Sequence, residues 1–176
     1  MLYLAPSSGR HTLMAARITR TLCRLNRFMT NKSNYFAFLE ANIAEHGFHV
    51  TYVAGQSPYS YTVGMVESFN LPELFISSLP RNLSHELSVQ YRTRHQDSTP
   101  PLNQIIPKRD ERFDYMLISV ENADIAELAL STFKYYPGDT TKFLQLIYPD
   151  TNSKFPHETG YDYDQLILGD YPDIAT

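Results

Sequence analysis

Phe143-Leu144-Gln145-Leu146-Ile147-Tyr148 is the stretch that decides the fold. All of its side chains except the Gln145 amide are apolar or aromatic, so no wet face alternates with a dry one. A short run of this kind reads as a strand covered on both faces, hence an inner strand of a layered sheet. Outward from it, Phe113 to Val120 (FDYMLISV) is a second β-forming run. Between the two, Asn122 or Asp124 can cap a helix that turns Ile125, Leu128, Ala129 and Phe133 inward and stops at Pro137-Gly138.

Towards the N-terminus the elements continue to alternate. Asn34 can cap a helix with Tyr35, Phe38, Leu39 and Ile43 on one face, ended by Gly47. Phe48 to Ala54 (FHVTYVA) reads as a strand, and Gly55-Gln56-Ser57-Pro58 as the break after it. Tyr59, Tyr61, Val63 and Met65 alternate with Ser60, Thr62 and Gly64, giving a strand with one packed face that pairs back as a hairpin. Leu74 to Leu79 is a further strand between Pro72 and Pro80. Leu83, Leu87 and Tyr91 mark a helix begun near Asn82 or Ser84, followed by a polar loop from Gln96 to Pro107. Gln165 to Leu168 forms a short last element. The expectation is an α+β domain over 29–176, a single compact unit. Its one sheet is mixed or mainly antiparallel, with about five strands and about three helices.

Composition narrows the classes. The chain has 176 residues, 43% of them apolar and 19% charged, which is ordinary for one globular domain. No run approaches the roughly 18 apolar residues of a membrane-spanning helix. The single cysteine, Cys23, rules out an internal disulfide framework and any multi-cysteine metal site. Residues 1–28 hold Arg10, Arg17, Arg20, Arg24 and Arg27 and no acid. From Met29 onward ten basic residues face nineteen acidic ones, a net −9, and a domain that acidic is a poor partner for nucleic acid. Met14, Ile18, Leu22 and Leu25 lie opposite the arginines on a helical wheel. Residues 1–28 therefore read as an extension outside the domain, either upstream of a true start at Met29 or a mitochondrial-type targeting segment. The expected location is cytoplasmic, with targeting as the alternative.

Familiar catalytic signatures fail. His85-Glu86-Leu87-Ser88-Val89 has Val89 where a zinc helix needs its second histidine. Gly55-Gln56-Ser57-Pro58-Tyr59 puts Tyr59 where a nucleophile elbow needs glycine. Asp150-Thr151-Asn152-Ser153-Lys154-Phe155 opens like a calcium loop but sets a cation at a ligand position. The glycines are too scattered for a phosphate cradle. His46 and His49 could meet on a metal only if the chain turned suitably at Gly47. Arg92, Arg94, Lys108, Arg109 and Arg112 flank the proline loop and could receive an anion, or stand as solvated charges beside Asp110 and Glu111. No metal site and no cofactor is expected.

Five stretches remain: Tyr61-Thr62-Val63-Gly64-Met65, Pro72-Glu73-Leu74-Phe75-Ile76, Gln145 to Asp150, Phe155-Pro156-His157-Glu158 and Gln165 to Gly169. In this order and spacing, from about Ala44 to Gly169, the chain resembles the bacterial domain-of-unknown-function family numbered 4262. It differs at Tyr148 and His157, where that family often carries tryptophan. The resemblance implies a bacterial source and a compact α+β fold, and supplies no catalytic residue.

Gln145, Asp150, Glu158 and Gln165 are polar groups set among apolar ones and must be hydrogen-bonded where they are buried. Asp150 and Glu158 either tie down the loop from Pro149 to Gly160 or, with Tyr61, Gln145, Tyr148 and Gln165, line a site for a small polar ligand. Because every enzyme signature fails, the favoured reading is a non-catalytic small-ligand- or protein-binding module. One alternative is a hydrolase or transferase with Glu158 or Asp150 as general base and His157 assisting. The other is an inhibitor or immunity-type protein whose acidic surface, at Asp162, Asp164, Asp170 and Asp173, meets a basic partner.

Overall fold

The computed structural model describes residues 34–138 and 141–172. The chain divides into two compact units, 1–41 and 42–176. The expected boundary at Met29, the basic extension before it and Asp173 lie outside the described residues. Helix α1 occupies 34–46, and Gly47, whose N–H donates to Ile43 O at 2.7 Å, ends it.

The second unit is α+β, built on one mixed sheet. In chain order its elements are β1 (His49–Val53), β2 (Tyr59–Val63), α2 (Met65–Phe69), β3 (Glu73–Ser77), α3 (Arg81–His95), β4 (Ile105–Ile106), β5 (Tyr115–Val120), α4 (Asn122–Ile125), α5 (Leu130–Tyr135) and β6 (Phe143–Ile147). The strand order is β1-β2-β3-β6-β5-β4. All neighbours are antiparallel except β3 and β6, which run parallel with Phe75 opposite Gln145. The run that decided the fold is thus an inner strand, and all its residues are buried.

Six strands replace the expected five or so, because Ile105–Ile106 pairs with Tyr115 and Met116 inside what reads as a polar loop. Five helices among the described residues replace about three. The stretch expected to be one helix after β5 breaks at Ala129 (φ −98°, ψ 44°) into α4 and α5. Neither Asn122 nor Asp124 caps it; Glu121 holds the N-cap position without a side-chain bond. Met65 belongs to α2 rather than to the strand before it. Helix α3 starts at Arg81, after Pro80, rather than at Asn82 or Ser84.

Sheet alternation sends neighbouring side chains of β5 and β6 into separate cores. Tyr115, Leu117, Leu144 and Leu146 join Leu74, Ile76 and the Leu87/Tyr91 stripe of α3. Met116, Ile118 and Ile147 join Phe155, with Ile167 and Tyr171 packed against them. Each fully buried side chain of this size stabilises by about 1.5–3 kcal/mol relative to exposure. Helix α5 covers the near end of the sheet: Phe133 packs on Phe143 at 5.7 Å and Thr132 Oγ1 donates to Thr62 O at 3.1 Å. Strand β2 therefore has no wet face, and Ser60 and Thr62 are as buried as Tyr61 and Val63. Residues 165–168, expected as a short element, are neither helix nor strand.

Candidate functional site

The loop after β6 is tied by its own carboxylates. Asp150 Oδ1 accepts from the N–H groups of Asn152 (2.8 Å) and Lys154 (2.9 Å), and Asp150 N–H donates to Lys154 O at 2.8 Å. This is an Asx turn placed just after Pro149. Burial works to raise the Asp150 pKa, but the donors of Lys154, Asn152 and Asp162 together hold it below the usual carboxylate range. Glu158 Oε2 accepts from Phe155 N–H at 2.6 Å, while Glu158 N–H donates to Phe155 O at 2.9 Å, so the Phe-Pro-His-Glu turn closes on itself. His157 Nδ1 lies 2.7 Å from the Tyr171 hydroxyl, and its ring stacks on Phe155. Both carboxylates thus bond backbone, and His157 turns to the C-terminal segment.

The candidate ligand-binding amides build a reciprocal clamp. Gln145 is fully buried in β6; its Nε2 donates to Leu166 O at 2.6 Å and its Oε1 accepts from Leu168 N–H at 2.8 Å. Gln165 answers from the other side: its Nε2 donates to Leu146 O at 3.2 Å and its Oε1 accepts from Tyr148 N–H at 3.5 Å and Tyr161 Oη–H at 3.3 Å. Each amide stands in for a strand neighbour towards the other chain segment. Ser77 Oγ–H adds a bond to Leu166 O (2.8 Å) and Ser78 Oγ–H one to Asp164 O (2.9 Å). At Gly169 the segment runs so close to β5 that a Cβ would sit 2.1 Å from Ser119 O. The result is a strap, residues 161–172, without regular secondary structure and bolted from beneath. Tyr148 donates to Ser77 O at 3.0 Å; burial, then the neighbouring Tyr161 and Tyr163, push its hydroxyl pKa up. Tyr161 is pushed up to about 12, by burial first and then by Asp150.

The structure therefore brings Gln145, Tyr148, Asp150 and Gln165 together around the strap. Tyr61 is held by α5, its hydroxyl accepting from Ser131 N–H at 3.4 Å. The strap's outer side carries Asp162, Tyr163, Asp164, Leu166 and Asp170, all exposed.

At the opposite end of the parallel β3/β6 pair lies a constellation that sequence reasoning did not select. Glu73 has no exposed surface. Its Oε1 accepts from Gly64 N–H (2.9 Å), Val66 N–H (3.3 Å) and Tyr136 Oη–H (3.0 Å), and its Oε2 from Thr62 Oγ1–H (2.5 Å). Thr62 Oγ1 in turn accepts from Leu74 N–H at 2.8 Å. The carboxyl holds the first turn of α2, whose N-cap Gly64 sits at φ 107°, a value that suits glycine. Burial pushes the Glu73 pKa up against these four bonds, and among the described residues no cation pairs with it. The signal was present in the Tyr-Thr-Val-Gly and Pro-Glu-Leu motifs: an acid in a covered strand must find donors nearby.

The arginines by the proline loop have partners of their own. Arg94 pairs with Glu111 at 3.1 Å and Arg112 with Glu86 at 3.3 Å, while Arg92 lies over the Phe69 ring. Beside them His95 is buried, with Nε2 3.0 Å from Tyr115 Oη; burial, then Arg94, lower its pKa to about 4. His46 faces Glu45 at 3.8 Å, whereas His49 Nδ1 lies 3.0 Å from the Asn42 amide nitrogen, so the two histidines have separate neighbours. Among the described residues no group of three or more His, Cys, Asp or Glu side chains is placed to hold a metal ion. No helix among them is long and apolar enough to cross a membrane.

Comparison with curated proteins and with solved structures returned no match to this chain. The motif residues at Gln165 and Gly169 lie just beyond the segment that a family comparison does match. That segment, residues 42–162, holds β1 to β6, the Glu73 constellation and the Asp150–Glu158 loop. It is more than two thirds of the chain, and it matches the family described as Domain of unknown function (DUF4262), to which this chain belongs.

Proposed function

We propose that the chain is a non-catalytic protein-binding module that offers the outer side of the 161–172 strap to a basic partner. The observation that carries this reading is the division of labour within the strap. Its inner groups are fixed by Gln145, Gln165 and Ser77, while Asp162, Tyr163, Asp164, Leu166 and Asp170 are exposed. An irregular segment held this firmly loses little further entropy when it binds, which favours recognition. Two aspartates flanking an exposed tyrosine suit a cationic, partly apolar surface. The net −9 from Met29 onward adds attraction at long range. A bacterial, cytoplasmic setting goes with this reading, since the family resemblance and the lone cysteine both favour it.

A photo-crosslinking residue placed at Tyr163 in the native host tests it, with the same residue at exposed Glu127 as control. The expected result is one polypeptide captured at 163 and not at 127, with capture lost in Asp162→Lys/Asp164→Lys. Capture that survives charge reversal, or none at all, overturns the proposal.

A further inference from the structure

Glu73 is the one carboxyl among the described residues with no exposed surface at all. It carries four hydrogen-bond donors and, among the described residues, no counter-ion. Burial disfavours the charged form of an acid and hydrogen bonds favour it. At Glu73, wholly buried with no cation beside it among the described residues, burial outweighs the four bonds, so the acid keeps its proton or reaches for solvent. Both routes exist here. The proton has a place between Oε1 and the Tyr136 hydroxyl 3.0 Å away, whose own hydrogen can turn outward because Tyr136 is only half-buried. Solvent lies beyond α2, a helix of five residues with Val66 half-buried and Glu67 exposed.

We propose that Glu73 is a proton-controlled latch: protonated, it holds the first turn of α2 and Tyr136 against β3, and on ionisation it lets that turn open to water. The groups facing it leave it as the switching element. Tyr91, from α3, donates to Pro72 O at 3.1 Å, and Tyr136 comes from the end of α5; burial first, then Glu73, pushes both hydroxyls far up. On α2 itself Glu67 takes the Tyr135 hydroxyl at 2.8 Å, and Arg92 of α3 lies over Phe69 at 5.3 Å. Lys142, ahead of β6, meets Glu73 through its backbone oxygen, 2.8 Å from Glu73 N, with its side chain exposed. None of these supplies a positive charge to the carboxyl.

The sign follows from linkage. An acid whose pKa is raised by folding stabilises the closed form below its ordinary value, 4.5, and that stability is lost as pH rises through the folded value. Amide hydrogen exchange at Gly64 and Val66 between about pH 5 and 9 reads the latch, with Leu117 in β5 as reference. After correction for intrinsic exchange, opening at Gly64 and Val66 should rise about tenfold per pH unit between the ordinary carboxyl value, 4.5, and the titration point of Glu73 in the closed form, and level off above it, one proton being linked. Glu73→Gln should flatten that rise, and Tyr136→Phe, which takes a donor from the charged form, should extend it to higher pH before it levels off. Carbon-13 titration of the Glu73 carboxyl in the unmodified protein reads the same event without a variant. A carboxyl titrating at or below its ordinary value overturns the proposal. So does a Gly64/Val66 profile parallel to that of Leu117.

Discussion

Replacing Gln145 by methionine keeps the length of the side chain and removes both bonds by which this side chain grips the strap. Leu166 O loses the 2.6 Å bond from Nε2 but keeps Ser77 Oγ–H at 2.8 Å, so that carbonyl stays paired. Leu168 N–H, 2.8 Å from Oε1, is left without an acceptor. Stranding one such donor costs about 1–3 kcal/mol, and the other bond contributes about 0.5–1.5 kcal/mol net. With some return from burying an apolar chain, Gln145→Met should lose about 2–3 kcal/mol, or about 4–12 °C in Tm for a domain of this size. Urea unfolding at pH 7.5 measures it. Gln145→Glu sharpens the test, because it sets a carboxylate oxygen against Leu166 O. Its folded pKa should be raised, so its stability is retained at low pH and lost as pH rises through that value. Gln165→Met in the Gln145→Met background should add less than it costs alone, since both amides fasten one segment. A Gln145→Met variant within about 0.5 kcal/mol of the parent, the range of ordinary surface changes, would refute the clamp.

Three further outcomes are expected. His95, neutral in the fold with a pKa near 4, stabilises the protein above its unfolded value of 6.5. About 2–3 kcal/mol should be lost as pH falls from 6.5 towards 4, and His95→Gln, which can still bond Tyr115 but cannot charge, should flatten that slope in unfolding curves at pH 7 and 5. Asp150→Asn removes the charge that the Asn152 and Lys154 N–H groups face and should lower Tm by more than Glu158→Gln, which can keep the Phe155 N–H bond; two stabilised variants would point instead to a strained ligand site. Gly169→Ala brings a methyl to 2.1 Å from Ser119 O, so the strap must lift. Limited proteolysis should then cut within 161–172 at a protease level that leaves the parent intact.

The layered sheet was legible because its inner strand is apolar on both faces and its hairpin is punctuated by Gly55 and Pro58. What escaped had weak local signals. Helix α2 is a single turn after a glycine, too short for a period to show. Strand β4 has two residues, and only its partner β5 makes it a strand. At the candidate site, the need of Gln145 and Gln165 for partners could be read from their apolar neighbours. That each serves the other's backbone could not, because Gln165 lies twenty positions further on, beyond a loop. Glu73 stood in view within a motif, but its four donors come from β2, α2 and the end of α5, a convergence that only the tertiary fold creates.

The place of β6 between β3 and β5 sets a schedule for folding. The β1-β2-β3 meander is complete at Ser77 and the β4-β5 pair at Val120, yet neither half touches the other in the sheet until residues 143–147 slide between them. The β3/β6 pairing joins residues about seventy apart, and closing so long a loop is slow relative to forming hairpins. On a ribosome the first two thirds of the chain must therefore wait with open strand edges on β3 and β5, where stray pairing is a hazard. Insertion of β6 heals both edges in one step, and the strap that follows seals the seam. A nascent chain stalled before Phe143 should sit as two unjoined ribbons, and release of residues 143–176 should convert them into a cooperative unit.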